Sequence, residues 1–202
     1  MLTLPLLWLG WPSQDQRPRQ NKRGRINWIF YMADKNKIIE NIRSYLINYI
    51  EVPREEFSGM ATCPFSKGER TRGRLLVDVF DSNSQVFPDV VKQMIDDGYS
   101  SGLFALFVGD APAEMQDGDT AAFQSFLNKV LKRSGVKSYK SICMNPNDKL
   151  EVDGFNPRRH APYFLINVAH SSELSRSRKS LTSTKYFDRM PEKYRKYLKM
   201  DP

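Results

Sequence analysis

The stretch LLVDVFDSNSQVFPDVVKQMIDDGYSSGLFALFV, Leu75–Val108, decides the fold class. Leu75–Phe80 reads as a strand, and Asp81–Ser84 is a cluster of turn-forming residues. Phe87-Pro88-Asp89 opens a helix that runs to Asp97, with proline tolerated in the first turn and Gly98 as the stop. Leu103–Val108, LFALFV, is a continuous apolar run, as expected of a strand covered on both faces. Strand, helix and strand in that order predict a right-handed crossover between parallel neighbours.

The pattern continues on both sides. Downstream, Asp119 or Thr120 can cap a helix carrying Ala122, Phe123, Phe126, Leu127, Val130 and Leu131 at helical spacing, stopped by Gly135. Tyr139–Met144 reads as a strand, Asn145–Asp148 as a turn, and Leu150–Val152 as a short strand before Asp153-Gly154. Pro162–Val168 is another apolar strand. A polar helix over about 171–180 and a last one from Pro191 to Leu198 close the chain. Upstream, Asp34 can cap a helix to about Tyr49, with Ile38, Ile39, Ile42, Tyr45, Leu46 and Tyr49 on one stripe, and Pro53 ends it. Residues 54–74 read as a loop rich in Gly, Ser, Lys and Arg. The expected fold is α/β: a mostly parallel or mixed sheet of four to five strands flanked by helices, in one compact domain over 32–180. Ligands of such sheets bind at the carboxyl ends of the strands, here Asp81–Ser84, Gly109–Asp119, Asn145–Asp148 and the start of the Ser171 helix.

The chain has 202 residues, of which 40% are hydrophobic and 27% charged. That is ordinary globular usage, so its bulk should fold without a partner. No apolar run approaches the roughly 20 residues that span a bilayer. Two cysteines, Cys63 and Cys143, make no disulfide framework, and with the two histidines they lack the tight spacing of the four Cys/His ligands of a structural zinc site. No metal is expected, and reduced thiols in a cytoplasmic setting are the default.

The net charge is +8, and it sits at the ends. Residues 1–31 hold Arg17, Arg19, Lys22, Arg23 and Arg25 against Asp15, a net of +4; residues 171–202 hold nine Lys/Arg against four Asp/Glu, a net of +5. The middle is therefore nearly neutral. The expectation is a natural start at Met32, with 1–31 as upstream sequence; its alternative is a flexible basic arm with an apolar tip that touches a membrane or partner. Residues 181–202 read as a basic helical tail. Its run from Lys185 to Lys199 interleaves Tyr186, Phe187, Tyr194 and Tyr197 with Lys and Arg. Single-stranded nucleic-acid binding requires that mixture, and an ordinary amphipathic end helix also has it.

Three segments carry candidate chemistry. Cys63 lies in ATCPFSKGERTRGR beside Lys67, Arg70, Arg72 and Arg74, cations that favour thiolate; the plain alternative is a thiol packed as a small hydrophobe. Those four cations and Gly68 and Gly73 also suit a loop wrapped around phosphate or carboxylate. Neither a Walker loop nor a G-x-G-x-x-G run is present. The third segment is Asn156–Tyr163, where Arg158 and Arg159 precede His160, a pair of anion clamps next to a possible base. Cys63, His160 and Asp148 or Asp153 would make a thiol–imidazole–carboxylate set if they met in space. The acidic residues Asp110, Glu114, Asp117 and Asp119 lack EF-hand spacing and read as a solvated loop or cap.

Cys63-Pro64-Phe65-Ser66-Lys67, Asn145-Pro146-Asn147-Asp148 and Arg159-His160-Ala161-Pro162-Tyr163, in that order, resemble a widespread bacterial family of unknown function marked by a Cys-Pro-Phe-(Ala/Ser) segment. The likeness covers about 40–180. The chain differs in lacking aromatic residues after its proline turn and in its basic C-terminal extension. The resemblance implies one compact domain in which Cys63 matters, and it supplies no reaction and no cofactor.

The expected function is binding of a small anionic ligand between the Cys63–Arg74 loop and the Arg158–His160 segment. Any catalysis would use Cys63 as nucleophile and His160 as base. The rival is a nucleic-acid-binding or protein-interaction module working through basic termini.

Overall fold

A computed structural model describes residues 28–80, 87–98, 104–108, 120–148 and 151–192. The turn expected at 81–84, the acidic loop at 109–119 and the last helix at 191–198, all but its first two residues, lie outside them. Two units are distinguished, Met1–Lys37 and Ile38–Pro202. In the first, the described residues begin the helix α1, Trp28–Tyr45. Its start precedes Asp34, which is therefore interior to the helix and not its cap.

The second unit holds the sheets. The helix gives way to a π-helical turn, Leu46–Ile50, then β1 (Pro53–Arg54), a 3-10 turn (Glu55–Phe57), β2 (Met60–Ala61) and α2 (Ser66–Thr71). The main sheet and its helices follow: β3 (Leu75–Val79), α3 (Phe87–Asp96), β4 (Phe104–Val108), α4 (Thr120–Arg133) and β5 (Tyr139–Met144). A 3-10 turn (Pro157–His160), β6 (Leu165–His170), α5 (Ser171–Thr182) and a last 3-10 turn (Lys185–Phe187) complete the described chain.

The expected fold class is corrected here. The strands form two sheets, an antiparallel pair β1–β2 and a four-stranded sheet in the order β3-β4-β6-β5. Only β3 and β4 pair in parallel, while β6 is antiparallel to both β4 and β5. A parallel neighbour needs a crossover of a dozen or more residues, usually a helix. The described connection from β5 to β6 contains turns and a four-residue 3-10 segment and no α-helix, so β6 returns antiparallel and inserts between two strands that share a direction. The segment 54–74, expected as loop, supplies the second sheet and α2. Its tight reversals use positive φ at Ser58 and Gly59.

Alternation along the strands divides the core. On one face, Phe87, Val91, Leu127, Leu131, Cys143 and Val168 pack α3 and α4 onto the sheet. On the other, Ile42, Tyr45, Leu46, Val77, Leu106 and Leu165 pack the end of α1. A third cluster joins Phe57, Val152, Tyr186, Phe187 and Met190. Thus the boundary expected at 180 falls inside α5, and the first part of the presumed basic tail is core. The outer edge of β5 is covered: the Ser141 and Cys143 backbone N–H groups donate to Asn128 Oδ1 (2.7 Å) and Gln124 Oε1 (3.0 Å) of α4. No described helix is long and apolar enough to cross a membrane.

Candidate functional site

The sheet face bearing Ile142, Met144 and Asn167 is where a site forms. Ile142 and Asn167 are cross-strand partners on β5 and β6, so their side chains stand side by side. Over them lie α5, the Thr62–Phe65 loop and the Pro157–Arg158 turn, which border a partly open cavity of about 200 Å³. That is below the roughly 300 Å³ of a drug-sized pocket and suits a fragment-sized molecule.

Local interactions hold each wall. The Cys63 N–H donates to Ile50 O (3.1 Å), tying the loop to the π-helical turn, and Cys63 O accepts from the Ser66 N–H (3.2 Å). The Tyr186 hydroxyl donates to Thr62 O. The Tyr45 hydroxyl donates to Pro157 O (2.9 Å), fixing the opposite wall to α1. Asn156 caps the Pro157–His160 turn by accepting from the Arg158 and Arg159 N–H groups (2.9 and 3.3 Å), and its amide donates to Asp148 O.

The walls are chiefly apolar, with a few polar groups converging on them: Thr62, Cys63, Arg158, Asn167 and Arg178. Asn167 is only 3% exposed and its Oδ1 has no hydrogen-bond partner. Thr62 Oγ1 is likewise buried and unpartnered. Elsewhere the buried Ser66, Gln124, Ser141, Asn145 and Asn156 side chains have partners, while Arg54 Nε, Glu69 Oε2, Arg74 Nε, Thr120 Oγ1 and Ser171 Oγ are buried without one. An unmet buried polar atom costs about 1–3 kcal/mol, so each instance requires an explanation.

The cations predicted from the sequence are placed as follows. Arg70 makes a two-pronged pair with Glu51 (Nη2–Oε2 2.7 Å), and Arg72 (3.7 Å) and Arg74 both reach Glu69. Arg158 pairs with Asp148 and Arg159 with Glu151 (2.8 Å). Lys67 is exposed, with no ion pair among the described residues. The basic loop therefore spends most of its charge inside the fold. Of its cations none lines the cavity; Arg158 does, as does Arg178, which the sequence reading passed over and which makes no ion pair among the described residues.

Cys63 stands in the cavity wall, but not as an activated nucleophile. Burial pushes its thiol up to about 11; the backbone N–H groups of Phe65 and Ser66 pull the other way, and the Glu51 carboxylate adds to the rise. The expected cationic activation fails because the arginines are already neutralised and a carboxylate is closer in effect. Cys143 is core, its thiol pushed up to about 12 by burial. His160 is exposed and stacks on Tyr49 at 4.4 Å between centroids, with Phe155 at 6.4 Å. No hydrogen bond joins it to Cys63. Asp148 is engaged by Arg158, and Asp153 lies 3.8 Å from Arg189 in a turn with φ 48°. The three members of the imagined triad are thus in separate arrangements. Among the described residues, no cluster of His, Cys, Asp and Glu could hold a metal ion.

Protein-family models, curated proteins and solved structures give no match to this chain.

Proposed function

We propose that this protein binds a small organic carboxylate with an apolar body, in the cavity between the Cys63 loop and the Pro157–His160 turn, without thiolate chemistry. The observation that carries the reading is the cavity's composition: chiefly apolar walls that also include Arg158, Arg178, Thr62 and Asn167, the last two each with an unpartnered buried oxygen. Such a pocket is the usual form of a ligand site. Arg178 supplies the charge for the carboxylate, since Arg158 is partly neutralised by Asp148. A carboxylate is favoured over phosphate because a phosphate's charge and three acceptors need more donors than these walls offer. Cys63 contributes a protonated S–H to the wall.

Thermal unfolding of the full chain with benzoate or hexanoate tests this. A ligand at a hundred times its dissociation constant adds about 2.7 kcal/mol, or about 5–10 °C at this size. Arg178→Ala should cut the shift sharply, and Leu181→Trp, which fills the cavity, should abolish it. No shift in the wild type, or a shift that both variants keep, sinks the reading.

A further inference from the structure

We infer that the ligand also carries a carboxamide or lactam edge, and that Asn167 is the residue that selects it. The inference rests on the proposed carboxylate site and adds the second functional group. Asn167 sits in the middle of a strand whose other residues are apolar apart from the terminal His170, on the sheet face that lines the cavity, and is 3% exposed. Its Oδ1 has no partner, and Thr62 Oγ1, on the same cavity, has none either. Among the described residues, the side-chain oxygens of the other buried amides have partners: Gln124 the Cys143 N–H, Asn145 the Asn147 N–H, Asn156 two backbone N–H groups.

The chemistry of the missing partner follows from the chemistry of Asn. A carboxamide presents an acceptor and a donor side by side. Its full complement is a group that presents a donor and an acceptor at the same spacing, namely another amide edge. This holds whichever way round the Asn167 amide is turned. It is the geometry by which Asn reads an adenine edge in two hydrogen bonds. A carboxylate facing Oδ1 would set acceptor against acceptor, so the anionic end belongs at Arg178 and the amide end at Asn167. Thr62 lines the same cavity, and its hydroxyl can donate or accept. A site built to hydrogen-bond a substrate group rejects the analogue that lacks it far more strongly than an apolar pocket rejects an extra methyl.

The test uses matched pairs that differ only in NH2 against CH3: 3- and 4-carbamoylbenzoate with 3- and 4-acetylbenzoate, titrated calorimetrically into the full chain. At least one carbamoyl compound should bind tenfold or more tightly than its acetyl counterpart. Asn167→Leu should erase that difference while leaving the unliganded melting temperature equal or higher, and Thr62→Val should reduce the difference. Should Asn167→Leu not fold, Asn167→Ser replaces it with the same expectation for the pairs. Equal affinity within both pairs overturns the inference and leaves the carboxylate site standing. A preference that survives loss of the Asn167 amide overturns the role of Asn167. Absence of binding by all four compounds overturns the inference and the proposed function together.

Discussion

Asn167 and Cys63 show how a side chain's environment reverses what its neighbours in sequence suggest. Cys63 is followed by four cations within eleven residues, yet its thiol is pushed up by burial and by Glu51. Alkylation of Cys63 in a Cys143→Ser background should therefore titrate with an apparent pKa above the unperturbed value of roughly 8.5, toward 11. The folded state holds the proton more tightly than the unfolded chain, so this contribution is full below the unfolded pKa and is lost as pH rises from about 9 through 11. Denaturant titrations across that window should show the decline, and Cys63→Ala should flatten it. A depressed alkylation pKa would instead restore the nucleophile. Asn167→Leu should stabilise the unliganded protein, by up to about 1–3 kcal/mol, because an unmet polar atom is replaced by an apolar group of similar size. Both effects escape the sequence for one reason: which groups surround a side chain depends on segments far away in the chain. Asn167 did leave a trace, an amide inside the apolar run LINVAH. Buried strands exclude unpaired polar groups unless something uses them.

Elements were legible where periodicity is strong. The strands Leu75–Val79, Phe104–Val108 and Tyr139–Met144 and the helices Phe87–Asp96 and Thr120–Arg133 fall where apolar runs between turn signals and helical spacing placed them. What failed was 54–74, where two-residue strands and a six-residue helix are too short to show a period. The Asp153-Gly154 pair was legible as punctuation. Both residues take positive φ, and Val152 and Phe155 exchange backbone hydrogen bonds at 2.8 and 2.9 Å around them, a type I′ turn. The Pro157–His160 turn is the element on which the cavity wall depends. Asn156→Ala removes the cap of that turn and a bond to Asp148 O. The loss should cost about 1–2 kcal/mol. Asp148→Ala leaves Arg158, whose side chain is 15% exposed, without its carboxylate. That change should cost more, up to about 3–5 kcal/mol. Chemical denaturation of the two variants checks the order; equal and negligible losses would show that the turn is held by the Tyr45 bond alone.

Among the described residues of the Ile38–Pro202 unit, three apolar clusters share the work, and one includes Tyr186, Phe187 and Met190. Deletion of 181–202 should therefore destabilise the protein by several kcal/mol, each lost aromatic costing about 3–5 kcal/mol when removed from a core. Retention of the full melting temperature would mean these residues are a solvated tail after all. Hydrogen exchange should rank β4 and β6, the central strands, as the slowest, and the two-residue strands β1 and β2 as much faster. Leu165 is fully buried on β6. Leu165→Ala should cost about 2–5 kcal/mol.

The sequence by itself determined the alternation of strands and helices and the neutral centre with basic ends. These follow from composition and from local period, which are properties of contiguous residues. Tertiary structure alone decided the antiparallel insertion of β6, the pairing of the Cys63-loop arginines with Glu51 and Glu69, and the meeting of Thr62, Asn167 and Arg178 around one cavity. Those depend on which distant segments touch, and electrostatic pairing and desolvation act through space and not along the chain.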